Sequence, residues 1–140
     1  MAVLPPSITA YLPQAEGLLP KWILFLAVVS IGNSIQAYAS LGPTRRVYAG
    51  PRASVTPLSA RTFGTWTFIS AVVRLYAAYN INDRAWYEVA MWVFGAAWAH
   101  FVSEWLVFRT AVWGKGLAGP AIISTTSLVW MFLQKDYYVR

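Results

Sequence analysis

The sequence of 140 residues contains no cysteine, and only 11% of its residues are charged. The lack of cysteine excludes disulfide bonds, thiolate metal sites and cysteine nucleophiles. A single histidine and five carboxylates leave too few ligands for a catalytic zinc or a di-iron site. The chain also lacks a phosphate-binding loop, a nucleophile elbow and a dinucleotide fingerprint. We therefore expect no catalytic residue, no cofactor and no metal site.

Hydrophobic residues make up 58% of the chain and aromatic residues 16%, a composition typical of an integral membrane protein. Because a span needs about 20 apolar residues, four transmembrane helices are predicted at residues 22–41, 62–81, 85–108 and 117–133. The last is the shortest and begins beside Pro120, so a tilted helix, a partly unwound start and a position where the bilayer is thin are all open. We expect an all-α, four-helix membrane bundle in one domain, residues 1–140. A proline-rich arm that is not a cleavable signal peptide (1–20) and a basic loop (42–60) complete it.

The formal net charge of +6 does not indicate nucleic-acid binding, because the basic residues lie in short loops beside the spans. One set of loops carries Arg45, Arg46, Arg52, Arg61, Arg109 and Lys115, without acidic residues. The opposite side carries Lys21, Arg84, Lys135 and Arg140 together with Glu16, Asp83 and Asp136. The positive-inside rule predicts that the first set is cytosolic and that both termini lie on the far side.

The third span has two distinct faces. Its aromatic stripe, at helical spacing, consists of Met91, Phe94, Trp98, Phe101, Trp105 and Phe108. Opposite lies a row of small residues, Gly95, Ala99 and Ser103, spaced by four, which lets another helix approach closely in lipid. The second span has a matching face, formed by Thr67, Ser70, Ala71, Arg74 and Ala78. We expect these two faces to meet and the aromatic stripe to point outward; self-association through the small row is a second use.

Charged side chains inside the spans need partners. Arg74 lies about 12 Å from the turn between the second and third spans, too deep for comfortable solvation. Glu88 is predicted as its partner, in preference to Glu104, and a structural and a functional pair are both open.

His100 and Glu104 lie one helical turn apart, which resembles half of a metal site and also suits a proton shuttle. The favoured interpretation is a histidine hydrogen-bonded to a neighbouring helix, with Glu104 near the membrane interface. Asn33 and Gln36, and the run Ser124 to Ser127, are predicted to supply hydrogen bonds between helices.

The most specific sequence pattern consists of Arg61-Thr62-Phe63-Gly64, Trp66-Thr67, Arg74, His100-Phe101, Ser103-Glu104 and Gly32-Asn33-Ser34-Ile35-Gln36. This pattern resembles that of the ergosterol biosynthetic protein 28 family over about half of the chain. Glu88 departs from the pattern, which has a histidine at that position.

The resemblance implies a non-catalytic, multi-pass scaffold of the endoplasmic reticulum membrane. Its implied partners are a sterol C-4 methyl oxidase, a 3β-hydroxysteroid dehydrogenase/decarboxylase and a 3-ketosteroid reductase. We place partner contacts on Arg61, Thr62, Phe63, Gly64 and Trp66 and on the aromatic stripe. An alternative is a sterol-binding or sterol-isomerising protein that uses Glu104, His100 and tryptophans; it requires an enclosed apolar pocket.

Overall fold

The computed structural model describes residues 6–140, and the described chain is all-helical. Its helices are α1 (Pro6–Thr9), α2 (Leu19–Ala39), α3 (Gly42–Val47), α4 (Pro57–Tyr79), α5 (Arg84–Leu106) and α6 (Lys115–Tyr138). The four long helices coincide with the four predicted spans, which confirms the all-α class. By length and composition, α2 and α6 are suited to crossing a membrane. The first five residues of the proline-rich arm lie outside the described residues.

Local sequence signals explain where the long helices begin. Thr56 and Ser59 form a reciprocal capping box at the start of α4, and Pro57 occupies its first turn. Asp83 caps α5 through Oδ1, which accepts hydrogen bonds from the backbone N–H groups of Ala85 and Trp86 at 2.8 and 3.2 Å. The helix starts therefore follow from the sequence within a few residues.

The last long helix differs from the expectation. α6 has 24 residues and includes Pro120, so the open alternative of a short span with an unwound start is wrong. Pro120 is tolerated because it lies only five residues after Lys115, where the missing N–H removes one hydrogen bond near the helix end. The basic loop also contains the short helix α3, which the sequence analysis did not predict.

The long helices form two pairs, α2 with α4 and α5 with α6, and α2 with α4 is the more extensive. Small side chains of α4 are buried in the bundle: Ala60, Gly64, Ser70, Ala71, Ala77 and Ala78. A Cβ added to Gly64 would lie 2.9–3.1 Å from atoms of Tyr38, Ala37 and Ser34, so α2 and α4 are in close contact there. The expected contact between the small faces of α4 and α5 is therefore wrong, since α4 uses much of its small face against α2.

The rotation of α5 also differs from the prediction, since only part of the aromatic stripe points outward. Phe94 and Phe101 are buried inside the bundle, Trp105 is half-buried, and Trp98 and Phe108 are exposed. Gly95 has no heavy atom within 4 Å of an added Cβ, Ala99 is exposed and Ser103 is half-buried. Phenylalanine rings of α5 fill the space between the two helix pairs. The small residues of α4 already pack closely against α2, so the small row of α5 has no partner helix there.

The segments that connect the long helices lie at two ends of the bundle. The loop end contains residues 40–56 and 107–114, and the termini end contains residues 80–83 and the segments before α2 and after α6. At the loop end, the Gly50 N–H donates to the Thr110 carbonyl at 2.9 Å and joins the two basic loops. At the termini end, the Asn82 side chain donates to the Tyr138 carbonyl at 2.7 Å. The charge distribution predicted this grouping of loops and termini. The main hydrophobic core lies toward the termini end around Tyr87, whose hydroxyl donates to the Met131 carbonyl at 2.5 Å.

Candidate functional sites in the helix bundle

A cavity of about 250 Å³, here called the central cavity, lies between the two helix pairs. All four long helices contribute to its wall. Its polar lining residues are Ser30, Asn33, Thr67, Ser70, Arg74 and Ser124. Its remaining lining residues are Leu26, Val29, Phe63, Trp66, Ala97, Phe101, Gly119, Pro120 and Ile123. The cavity therefore combines an apolar wall with hydroxyl groups and one cation.

Arg74 is the cation of the central cavity. Its Nη1 donates a hydrogen bond to Ser30 Oγ at 2.6 Å, and its guanidinium carbon lies 4.6 Å from the centre of the Phe94 ring. Its Nε is buried and has no hydrogen-bond acceptor among the described residues. A hydroxyl and an aromatic face thus take the place of the carboxylate that the sequence analysis expected beside this arginine.

The predicted pair of Arg74 with Glu88 is wrong. Glu88 Oε1 lies 2.8 Å from Lys135 Nζ on α6 and 3.5 Å from Arg84 Nε. Glu88 and Phe94, which contacts Arg74, are six residues apart and so point about 120° apart around α5. A carboxylate on the α6 side of α5 therefore cannot face the arginine. Arg74 and Glu88 were predicted to pair because they lie at similar depths from the turn. The direction in which Glu88 points around α5 prevents this pairing.

A second cavity, of about 370 Å³, lies at the loop end and contains both His100 and Glu104 in its wall. The Tyr48 hydroxyl and His100 Nε2 are 2.5 Å apart, and Thr110 Oγ1 donates to Glu104 Oε2 at 2.5 Å. The Trp66 ring packs against the imidazole with 5.0 Å between centroids. Both groups are therefore held by residues of the loop end.

Tyr48 was not predicted from the sequence as a hydrogen-bond partner of His100. It directly follows α3, whose formation brings it to His100, and no helical periodicity marks it. Burial, and secondarily the negative charge of Glu104, raises the pKa of Tyr48 above its ordinary value. The tyrosine consequently stays a neutral hydroxyl through the physiological pH range. His100 is thus hydrogen-bonded to the segment after α3, and not to a long helix as predicted.

We predict that Tyr48→Phe lowers the free energy of unfolding by about 0.5–1.5 kcal/mol, because His100 loses its hydrogen-bond partner while the ring packing remains. Urea titration in detergent, followed by tryptophan fluorescence, measures the change. Tyr38→Phe is the matched control, since its hydroxyl bonds to Thr65 on the exposed surface and contributes less. Equal effects of the two substitutions would contradict the importance of the Tyr48–His100 contact.

The other predicted polar residues have mixed outcomes. The prediction for Asn33 and Gln36 is wrong: both are exposed, and neither side chain has a hydrogen bond to another helix within residues 6–140. In the serine and threonine run, Ser127 Oγ accepts a hydrogen bond from Trp22 Nε1 at 3.0 Å and links α6 to α2. The prediction is therefore confirmed for Ser127, whereas Ser124 and Thr125 donate to the Ala121 carbonyl within α6. Among residues 6–140, no cluster of three or more histidine, aspartate or glutamate side chains is arranged to hold a metal ion.

The segment predicted to contact partners is divided by the structure. Phe63 and Trp66 are half-buried and line both cavities, and Gly64 is buried against α2. Arg61, Thr62 and Thr65 are exposed. The apolar part of this segment therefore shapes the cavities and the α2–α4 contact.

Comparison with known proteins supports the sequence resemblance. The family model described as Erg28 like protein matches residues 19–129. The chain is 54% identical over 124 residues to ergosterol biosynthetic protein 28 of Candida albicans, covering 89% of this chain and 90% of the relative. It is 50% identical over 131 residues to the Saccharomyces cerevisiae protein of that name, covering 93% and 88%. The human ergosterol biosynthetic protein 28 homolog is 31% identical over 120 residues, covering 85% and 86%. No solved structure matches significantly. The chain therefore belongs to the ergosterol biosynthetic protein 28 family, whose members are named for ergosterol biosynthesis.

Proposed function

We propose that this protein is a non-catalytic, multi-pass scaffold of the endoplasmic reticulum membrane that tethers the sterol C-4 demethylation enzymes. In this proposal all four long helices span the bilayer, and the loop end, with its basic residues, faces the cytosol. Large apolar side chains point outward from each long helix, including Phe25, Phe68, Trp92, Phe132 and Leu133. Such surfaces suit contact with lipid or with other membrane helices.

The observation that carries the scaffold proposal is the open face of α5. Gly95 and Ala99 form its centre, and Trp92, one turn earlier, is 79% exposed. Small residues allow close approach of a second helix in lipid, where packing, and not the hydrophobic effect, drives association. Gly95 borders a groove shared with Leu128 of α6, and no heavy atom of the described chain lies within 4 Å of an added Cβ there. We therefore place a transmembrane helix of a partner enzyme on this face, in place of the aromatic stripe.

Tethering benefits a pathway whose intermediates are poorly soluble in water. Enzymes held on one scaffold meet at a high effective concentration, on the order of millimolar for short flexible connections. A sterol intermediate then reaches the next enzyme without spreading through the bilayer. The oxidase, the dehydrogenase/decarboxylase and the reductase that the family resemblance implies are the proposed partners.

The test is co-isolation of these enzymes with tagged protein in mild detergent. We predict that Gly95→Leu with Ala99→Leu reduces at least one enzyme about tenfold, since the added bulk blocks close helix approach. The tagged protein itself should keep its fold and membrane level, because an added Cβ at Gly95 meets no neighbour. Gly32→Leu is the matched control, as Gly32 is also an open helical glycine, on α2.

Unchanged co-isolation of all three enzymes with the double variant would contradict the placement of partners on α5. Loss of a differently tagged second copy, with the enzymes retained, would assign the face to a homodimer. An equal loss with Gly32→Leu would show that the effect does not depend on the α5 face.

A sterol-isomerising protein is the second candidate, favoured by the loop-end cavity that His100 and Glu104 both line. In the structure, however, His100 Nε2 is engaged by Tyr48, and Glu104 Oε2 accepts the Thr110 hydroxyl hydrogen bond. Proton transfer at His100 Nε2 or at Glu104 Oε2 would first require breaking these contacts. The scaffold proposal needs no such rearrangement.

A further inference from the structure

Arg74 points its charge into the bundle and away from the nearest membrane surface. Its Cα lies five residues before the end of α4 at Tyr79, about 8 Å along the helix. Its guanidinium instead bonds to Ser30, which lies eleven residues, or about 16 Å, inside α2 from Leu19. Helical side chains tilt toward the N-terminus of their helix, which for Arg74 is the inward direction. The guanidinium therefore lies at a depth where it needs a counter-ion.

The chain itself supplies no such anion. Its five carboxylates belong to Glu16, Asp83, Glu88, Glu104 and Asp136. Asp83 caps α5, Glu88 pairs with Lys135, and Glu104 accepts a hydrogen bond from Thr110. The other two, Glu16 and Asp136, are exposed near the termini end. Arg74 Nε remains buried without an acceptor among the described residues. A buried guanidinium without a counter-ion is costly, so an external carboxylate at this position would be strongly favoured.

We propose that the central cavity binds the carboxylate-bearing end of a sterol acid, with Arg74 as the counter-ion. The identity of the acid rests on the proposed function, because a decarboxylase acting after a methyl oxidase must receive a ring-borne carboxylic acid. Ser30 accepts the Arg74 hydrogen bond, Ser70 and Thr67 add hydroxyl groups to the same cavity wall, and Phe63, Trp66 and Phe101 provide an apolar wall for rings. The scaffold thereby holds the acidic intermediate between two of its enzymes.

Size and depth both favour this ligand over a phospholipid. The cavity of about 250 Å³ accepts the acidic ring end, while the remaining rings extend past the exposed Asn33 and Gly119 at its margin. A phospholipid carries its phosphate at the membrane surface, far from the depth of Ser30. A carboxylate attached directly to a ring system reaches that depth together with its apolar body.

The test compares two probes with the same rings, a tritiated sterol 4-carboxylic acid and its neutral 4-hydroxymethyl analogue. Equilibrium binding is measured at pH 8 with the full chain in phosphatidylcholine nanodiscs. We expect wild type to bind the acid about tenfold or more tightly than the alcohol, as a charge-assisted contact requires. This comparison does not depend on any variant folding. Palmitate in excess should not displace the acid.

Variants then assign the preference to the arginine. Arg74→Gln should bind acid and alcohol equally, Arg74→Lys should keep part of the preference, and Arg61→Gln, an exposed arginine at the start of α4, should match wild type. Equal affinity of wild type for both probes, a preference that survives Arg74→Gln, or full displacement by palmitate would overturn the proposal. Enzyme co-isolation should be unchanged in Arg74→Gln, so failure of acid binding and failure of the scaffold give different results.

Discussion

Gly116→Ala is expected to destabilise the protein by about 3 kcal/mol or more, at the upper end of overpacking costs. Gly116 lies in the first turn of α6, where an added Cβ would overlap the Arg46 carbonyl of α3 and come 2.8 Å from the Val47 nitrogen. Both contacts are with backbone, so no side-chain rotation relieves them. The first turn of α6 must then move away from α3, and buried Leu117 moves with it.

Urea titration in detergent measures this effect, and Gly119→Ala is its control on the same helix. An added Cβ at Gly119 has no heavy atom within 4 Å, and alanine favours a helix by about 0.5–1 kcal/mol over glycine. We therefore expect Gly119→Ala to be neutral or slightly stabilising. If Gly116→Ala proved equally harmless, the packing of α6 on α3 would be incorrect.

The positions of the long helices follow from the sequence because apolar length and capping residues are local properties. The predicted span at residues 85–108 agrees with α5, and Asp83 marks its start. The rotation of α5 did not follow. In lipid, outward and inward faces are both apolar, so the stripe containing Phe94 and Phe101 gives no signal for which way it points. Packing against α4 and α6 decides that question.

The candidate sites show the same division between local and tertiary information. Arg74 stands out in the sequence because charge inside a span is costly. Its contacts with Ser30 and Phe94 depend on three helices at once, so spacing along one helix could not reveal them. Tyr48 and the short helix α3 lie in a segment that reads as a basic loop, and only the fold brings Tyr48 to His100.

A large effect is also expected on the overall rate of the three-enzyme pathway. In vesicles that contain the three C-4 demethylation enzymes as separate chains, we expect omission of this protein to lower the overall rate about tenfold or more, because the enzymes lose the effective concentration that tethering provides. The loss arises because dilute enzymes no longer share one site in the membrane. No single enzyme assayed with its own substrate in excess should lose activity.

Fusion of the three enzymes by flexible linkers tests the scaffold role most directly. Fusion supplies the effective concentration that the scaffold otherwise provides. The scaffold account predicts that the fused enzymes regain the greater part of the overall rate without this protein. If the fused enzymes still require it in full, the protein does more than bring the enzymes together, and the scaffold account is contradicted.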